Sequence, residues 1–214
     1  MPNQGGEKTM FADLLRRIAG FDSTRRIVVA VVGAPGSGKS TLAERLAETL
    51  NADQPGLAAV LPMDGYHYDD GLLTARGLRA RKGAPETFDV GGLVHMLERL
   101  RRNKEQEIAV PVFDRDLEIA RAGARMISRE SRVLIVEGNY LLLDVAPWSG
   151  LHGLYDLTVA LDVPEDELRR RLVARWRGYG VQEAEIAVKV EANDLPNGRF
   201  VRANSRPADV VLTA

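Results

Sequence analysis

The chain has 214 residues, of which 45% are hydrophobic and 28% charged, as in a folded globular domain and unlike a disordered or fibrous chain. Its 29 Lys and Arg residues against 30 Asp and Glu leave a net charge of -1, which gives no general attraction to nucleic acid or an anionic membrane. Cysteine is absent, which excludes disulfides, cysteine-ligated zinc, iron–sulfur clusters and thiol catalysis. We therefore expect a cytoplasmic protein without a nucleic-acid or membrane partner.

The pattern along the chain predicts one domain built from alternating strands and helices. Residues 1–9 are polar and glycine-bearing, and we expect them to be flexible, with a single domain over 10–214. Apolar residues at helical spacing predict a first helix over 10–18, and Leu42, Leu46 and Leu50 predict a second. Continuous apolar runs predict strands over 25–32, 57–63, 132–136, 157–163 and 210–212.

Two segments give a weaker pattern. Residues 66–90 read as irregular, and residues 108–130 are ambiguous, with a short strand over 110–113 as one interpretation. Strands that are continuously apolar are typical of a parallel sheet covered on both faces. The fold class is therefore α/β, with a parallel sheet of about five strands and helices on both sides.

The turn after the first strand carries a phosphate-binding pattern. Residues 33–40 match G-x-x-x-x-G-K-[ST] at every fixed position, between a buried strand and a helix. The glycines let successive N–H groups point at phosphate oxygens, Lys39 can reach the β- and γ-phosphates, and Ser40 can ligate Mg²⁺. We therefore predict ATP and Mg²⁺ as ligands. The residues predicted to hold the nucleotide are Gly33, Ala34, Pro35, Gly36, Ser37, Gly38, Lys39, Ser40 and Thr41.

Acidic residues stand at the ends of three predicted strands. Because ligands bind at the carboxyl ends of strands in an open parallel sheet, Asp64 and Glu137 should lie near the phosphate-binding loop. Asp64 can accept the proton of an acceptor hydroxyl, and Glu137 can hold Mg²⁺ together with Ser40. Asp162 also ends a strand and competes with Glu137 for the metal role.

Missing features narrow the class of phosphate-binding protein. A guanine-reading N-K-x-D segment is absent, and the length leaves little room for motor or transporter machinery. These absences favour a small-molecule kinase. A regulatory nucleotide-binding protein that hydrolyses ATP slowly, and a nucleic-acid end kinase, stay open as alternatives.

Six segments together carry a resemblance to a known family. They are VVGAPGSGKSTLAERL (31–46), LPMDGYHYDD (61–70), RGLRARKGAPETFDV (76–90), PVFDR (111–115), VLIVEGNYLLLD (133–144) and NDLPNG (193–198). The combination resembles the P-loop kinase group that contains uridine kinase, bacterial pantothenate kinase and phosphoribulokinase. It is most similar to bacterial proteins labelled as fructose transport-system kinases or uridine kinase-like proteins. In one departure, Gly65 follows Asp64 where uridine kinases carry an aromatic pair.

The resemblance implies roles for particular residues. It implies that Asp64 is the catalytic base, that Glu137 lies near the metal, and that Arg175 is the arginine of a short helical lid. It also places Phe88, Asp89, Asp114 and Arg121 on the acceptor side. By position or residue type we add Tyr66, His67 and Tyr140 as acceptor-pocket candidates. A sugar-like acceptor is favoured, with nucleoside and pantothenate-type acceptors as alternatives, and a homodimer is one expected assembly.

Overall fold

The computed structural model describes residues 4–22 and 24–213. The strands, in chain order, are β1 (Ile27–Gly33), β2 (Ala58–Pro62), β3 (Glu107–Asp114), β4 (Ile119–Ser128), β5 (Val133–Gly138), β6 (Leu157–Asp162) and β7 (Val210–Thr213). The helices are α1 (Gln4–Ala19), α2 (Lys39–Asp53), α3 (Asp70–Ala75), α4 (Val90–Arg102), α5 (Glu165–Gly178), α6 (Glu183–Lys189) and α7 (Leu195–Asn204).

A five-stranded parallel sheet forms the centre of the fold, as the sequence predicts. Its strand order is β2-β5-β1-β6-β7. Every residue of β1 and of β5 is buried, which explains why these segments are uninterrupted apolar runs. Because all five strands are parallel, their carboxyl ends lie along one edge of the sheet. The segments that follow β1, β2 and β5 therefore meet at that edge.

Helices cover both faces of this sheet, which confirms the predicted layers. On one face, α1 and α2 bury Leu14 and Leu46 against β1. On the other face, α4 buries Leu93 and Leu97, and the turn that follows β5 adds Trp148. Within residues 4–22 and 24–213, no helix is long and apolar enough to cross a membrane.

Strands β3 and β4 form an antiparallel hairpin outside the central sheet. This hairpin occupies the segment that is ambiguous in sequence. Most of β4 is exposed or half-buried, so its residues lack the continuous apolar run that marks the central strands. The hairpin packs on the 3₁₀ turn Met63–Tyr66, where a Cβ on Gly65 would lie 2.5 Å from the carbonyl oxygen of Pro111.

Beyond shifts of one or two residues at strand ends, the first helix and the segment 66–90 differ from the prediction. Helix α1 begins at Gln4, not at residue 10, so residues 4–9 continue the predicted first helix. Residues 1–3, the remainder of the segment expected to be flexible, lie outside the described residues. The segment 66–90 contains α3 and two short 3₁₀ turns between its glycines.

The helices after β6 form a small layer of their own above the sheet edge. Helix α5 leads into α6, and a π-helical turn, Val190–Asp194, joins α6 to α7. Leu172 and Ile186 lie in a separate hydrophobic cluster that holds these helices together. This layer is the short helical lid that the sequence predicts.

Candidate active site

The phosphate-binding loop connects β1 to α2 at the centre of the sheet edge. Gly36 and Gly38 have φ angles of 81° and 91°, in the left-handed region that favours glycine. A Cβ on Gly36 would also lie 3.0 Å from Cγ of Leu172, so α5 passes directly over the loop. The Ser37 N–H donates to the Ala34 carbonyl oxygen at 3.0 Å, which closes the turn before α2 begins.

Ser40 and Glu137 lie together beside this loop. The Ser40 hydroxyl donates to Oε2 of Glu137 at 3.0 Å, across the pairing of β1 with β5. Glu137 is 6% exposed, and burial raises the pKa of its carboxyl while the charge of Lys39 opposes that shift. A hydroxyl and a carboxylate oxygen are hard donors of the kind Mg²⁺ takes, so the pair fits the metal of a nucleotide complex.

Asp162 does not share this position. It lies at the end of β6, on the other side of β1, and its exposed carboxylate pairs with Arg202 at 2.8 Å. The sequence could not separate Asp162 from Glu137, because both acids end apolar strands. The strand order separates them, since β5 and not β6 lies between β1 and β2.

Lys39 and Asp64 complete the charged centre at the sheet edge. Lys39 is the first residue of α2, and Asp64 lies in the 3₁₀ turn that follows β2. Burial lowers the pKa of the Lys39 ammonium, and the carboxylates of Glu137 and Asp64 oppose that shift. The loop lysine and the two strand-end acids are therefore close enough to influence one another's charge.

Arg115, which the sequence did not single out, is a fourth member of this centre. It follows β3, and its guanidinium donates to the Asp64 carboxylate. Burial alone would raise the pKa of Asp64, but the charges of Arg115 and Lys39 outweigh it and hold that pKa below its ordinary value. The available signal was the PVFDR segment, from which the prediction took Asp114 and not its neighbour.

These residues open into a cavity of about 790 Å³ between the hairpin and the lid. We call its two sides the hairpin wall and the lid wall. The hairpin wall comprises His67, Lys82, Phe88, Phe113, Arg115, Asp116 and Glu118. The lid wall comprises Arg175, Trp176, Tyr179, Lys189, Asn193 and Asp194.

The hairpin wall combines aromatic rings with paired charges. The His67 ring lies between those of Phe88 and Phe113, with centroid separations of 4.0 and 4.7 Å. Its Nδ1 is 2.8 Å from the Asp64 carbonyl oxygen, so Nδ1 carries the proton and Nε2 is free to accept. Lys82 pairs with Asp70 at 2.6 Å, and its Nζ lies 5.3 Å from the centroid of the Phe113 ring.

Of the seven predicted acceptor residues, only His67 and Phe88 line the cavity. Asp114 accepts from Arg121 at 3.0 Å and from two backbone N–H groups, so this pair belongs to the hairpin turn. Asp89 accepts from the Gly92 N–H at 2.9 Å and caps α4. These acids satisfy local backbone donors, a role that the sequence pattern does not distinguish from substrate binding.

The two tyrosines predicted on the acceptor side are also outside the cavity lining. Tyr66 is buried in the hydrophobic core behind the 3₁₀ turn. Tyr140 is fully buried, and its hydroxyl donates to the Gly83 carbonyl oxygen at 2.6 Å. Since Gly83 lines the cavity, Tyr140 fixes the backbone of that wall from behind.

The family model described as "AAA domain" matches residues 29–191. The chain belongs to this family. The matched range runs from β1 through the loop, the strand-end acids and the hairpin into the lid, and so includes the charged centre described above.

Some known relatives of this AAA-domain chain carry kinase names, whereas the name of one of them, YggC, states no activity. A protein of Schizosaccharomyces pombe, named provisionally as a uridine kinase, is 33% identical over 88% of this chain and 83% of its own length. The Escherichia coli protein YggC is 36% identical over 93% of this chain and 82% of its own. The crystal structure of a Silicibacter sp. TM1040 protein, named provisionally as a fructose transport system kinase, superposes with a TM-score of 0.87. It is 43% identical and covers 94% of this chain and 98% of that one. The predicted resemblance is confirmed, and the chain is one of the P-loop kinases.

Proposed function

We propose that this protein transfers the γ-phosphoryl group of ATP to a hydroxyl of a small, sugar-like metabolite. The observation that carries this proposal is that Lys39 and Asp64 line one cavity, while Glu137 lies close to Lys39 and accepts a hydrogen bond from Ser40. That arrangement offers a phosphate-binding cation, a base for the acceptor and an oxygen ligand for a metal. Phosphoryl transfer needs chiefly positioning and charge stabilisation, and these are the functions such groups supply.

The loop and lid would hold the triphosphate. Backbone N–H groups of the loop, apart from Pro35, which has none, and Ser37, which donates to Ala34, would face the phosphates together with the start of α2. Lys39 would add a full positive charge. Arg175, on the lid wall, faces the same space. Ser40 and Glu137 would hold Mg²⁺, which when bound neutralises charge on the phosphate oxygens.

Asp64 would orient the acceptor hydroxyl and accept its proton. Its carboxylate lines the cavity, and Lys39 and Arg115 keep it ionised near neutral pH. An ionised carboxylate can take a hydrogen bond from the hydroxyl and then its proton as the bond to phosphorus forms. In this arrangement the Arg115 guanidinium would donate hydrogen bonds both to Asp64 and to the acceptor.

The hairpin wall supports a polyol or sugar as the acceptor. Its charges occur in both signs, with Lys82 and Arg115 beside Asp116 and Glu118. Hydroxyl groups both donate and accept hydrogen bonds, so such a mixture suits them, and the Phe88 and Phe113 rings can pack on a sugar face. Nucleoside and pantothenate-type acceptors are the alternatives that a panel would distinguish.

The test is ADP release from ATP·Mg²⁺ against a panel of sugars, polyols, sugar acids, nucleosides and pantothenate. We expect one acceptor class to raise the rate well above the rate without acceptor. Lys39→Ala should abolish the signal, and Asp64→Asn should remove the acceptor-dependent part while ATP still binds. A slow rate that no acceptor raises would contradict the proposal and favour a regulatory NTPase.

A further inference from the structure

The π-helical turn Val190–Asp194 places a buried carboxylate in the lid wall. A π turn inserts an extra residue into a helix and is found frequently at functional sites. Here it brings Asp194, which is 8% exposed, to the cavity surface. The Trp176 indole N–H donates to Oδ2 of Asp194 at 2.7 Å and fixes the orientation of the carboxylate.

The second oxygen of this carboxylate faces Arg175. Nη2 of Arg175 lies 3.7 Å from Oδ1, and Nε of Arg175 is buried without a hydrogen-bond partner. The contact is therefore looser than the others that arginines make on this helix, such as Arg169 with Glu191 at 2.7 Å. A loosely held guanidinium with a free donor is ready to exchange partners.

Cations on three different helices act on the charge of Asp194. Arg175 lies on α5, Lys189 on α6 and Lys39 at the start of α2. Burial raises the pKa of Asp194, while the Trp176 hydrogen bond and these cations oppose the rise. Glu137 and Asp64 lie close to Lys39, whereas Asp194 is the carboxylate that pairs with Arg175.

We propose that Asp194 is a positioning residue that competes with the nucleotide phosphates for Arg175. It holds the guanidinium at the cavity while the site is empty, yields it to the phosphates when ATP binds, and takes it back when ADP leaves. This inference rests on the proposed function only in that the site must bind ATP. It follows that Asp194 lowers nucleotide affinity, and that it does so through Arg175.

The test is a double-mutant cycle on ATP and ADP binding, measured by calorimetry without any acceptor. Asp194→Asn keeps an oxygen that can accept from Trp176 but removes the charge. We expect it to tighten binding about threefold to tenfold in the parent, an amount within the range of coupling between charged residues in contact. In the Arg175→Ala background the same substitution should change affinity less than twofold.

Glu191→Gln is the matched control, because Glu191 lies on the same π turn and pairs with Arg169 outside the cavity. It should leave affinity unchanged. An equal effect of Asp194→Asn in both backgrounds would overturn the proposal, since Asp194 would then act by its general field alone. If the parent protein does not bind ATP, that result would instead contradict the proposed function.

A second measurement needs no substitution at Asp194. The carboxyl of Asp194 can be titrated by NMR with and without ADP, in the parent and in Arg175→Ala. Because ADP should withdraw Arg175, the pKa of Asp194 should rise further on ADP binding in the parent than in the variant. Equal rises in the two proteins would contradict the proposal.

Discussion

The guanidinium of Arg115 pairs with the carboxylate of Asp64, although 51 residues separate them in the chain. One comes from a hairpin outside the central sheet and the other from a turn at the sheet edge. The base assigned to the reaction is thus charged and oriented by a part of the molecule that contributes nothing to the sheet. This pairing sets the first prediction.

Arg115→Ala should move the acid limb of the pH–rate profile to higher pH. Asp64 acts in its ionised form, so activity falls as pH drops through its pKa, and Arg115 holds that pKa down. Lys39, His67 and Glu137 also face Asp64 and remain in the variant. The measurement is kcat/KM for the active acceptor across pH. Arg121→Ala is the control, because Arg121 lies in the same hairpin but pairs with Asp114, and it should not move the acid limb. An acid limb that stays in place in Arg115→Ala would refute the assignment of Asp64 as the base.

Glu137→Gln should weaken the metal dependence of nucleotide binding. The carboxylate accepts from Ser40 and is the buried acid nearest the loop hydroxyl, so its charge favours a divalent cation there. We expect the Mg²⁺ concentration for half-maximal ATP binding to rise by about tenfold or more, as when supporting ligands of metal sites are lost. Asp162→Asn is the control, and an equal shift in both variants would mean that neither acid is specific to the metal.

Gly65→Ala should displace the hairpin. The added Cβ would lie 2.5 Å from the Pro111 carbonyl oxygen, which is backbone and cannot rotate away. We expect a loss of about 1–3 kcal/mol in the free energy of unfolding, as for overpacked sites, together with a higher KM for the acceptor. Gly153→Ala, which meets open space, should stay within about 0.5 kcal/mol of the parent. Urea titration of both variants checks this, and equal stabilities would show that the hairpin adjusts freely.

Tyr140→Phe should loosen the cavity wall at Gly83 without changing the affinity for ATP. It removes the donor to a half-buried carbonyl oxygen, and the loss of such a hydrogen bond typically costs about 0.5–1.5 kcal/mol of the free energy of unfolding. The KM for the acceptor should rise, while the dissociation constant for ATP should stay unchanged. Tyr155→Phe is the control, because the Tyr155 hydroxyl is buried with no hydrogen-bond partner and its removal should cost little. An effect of Tyr155→Phe as large as that of Tyr140→Phe would speak against this role for the Gly83 contact.

The sequence pattern was sufficient to predict the central sheet and the phosphate-binding loop. Strands such as β1 and β5 are buried on both faces, so burial appears directly as an unbroken apolar run. The loop is local, and its glycines and Lys39 stand at fixed spacing. Strand order is not local, which is why Asp162 and Glu137 look equivalent in sequence, although β5 lies between β1 and β2 while β6 lies on the opposite side of β1.

The acceptor side was harder to predict for physical reasons. A half-exposed hairpin has no strong period, so neither the register of residues 107–128 nor the contact of Arg115 with Asp64 follows from the sequence pattern. Asp194 belongs to a π turn, whose spacing matches neither a helix nor a strand. Asp89 and Asp114 satisfy backbone donors, and such an acid looks the same in sequence as one that binds a substrate, so their role on the acceptor side stays a prediction.

The separate hairpin also bears on how such enzymes diversify. Residues 107–128 contribute no strand to the five-stranded sheet, yet Phe113, Arg115 and Glu118 face the space assigned to the acceptor. Substitutions or length changes in this segment can alter which compound is taken without disturbing the loop, Ser40 or Glu137. The nucleotide site can therefore stay the same across a lineage of related proteins while changes in this hairpin alter the acceptor specificity.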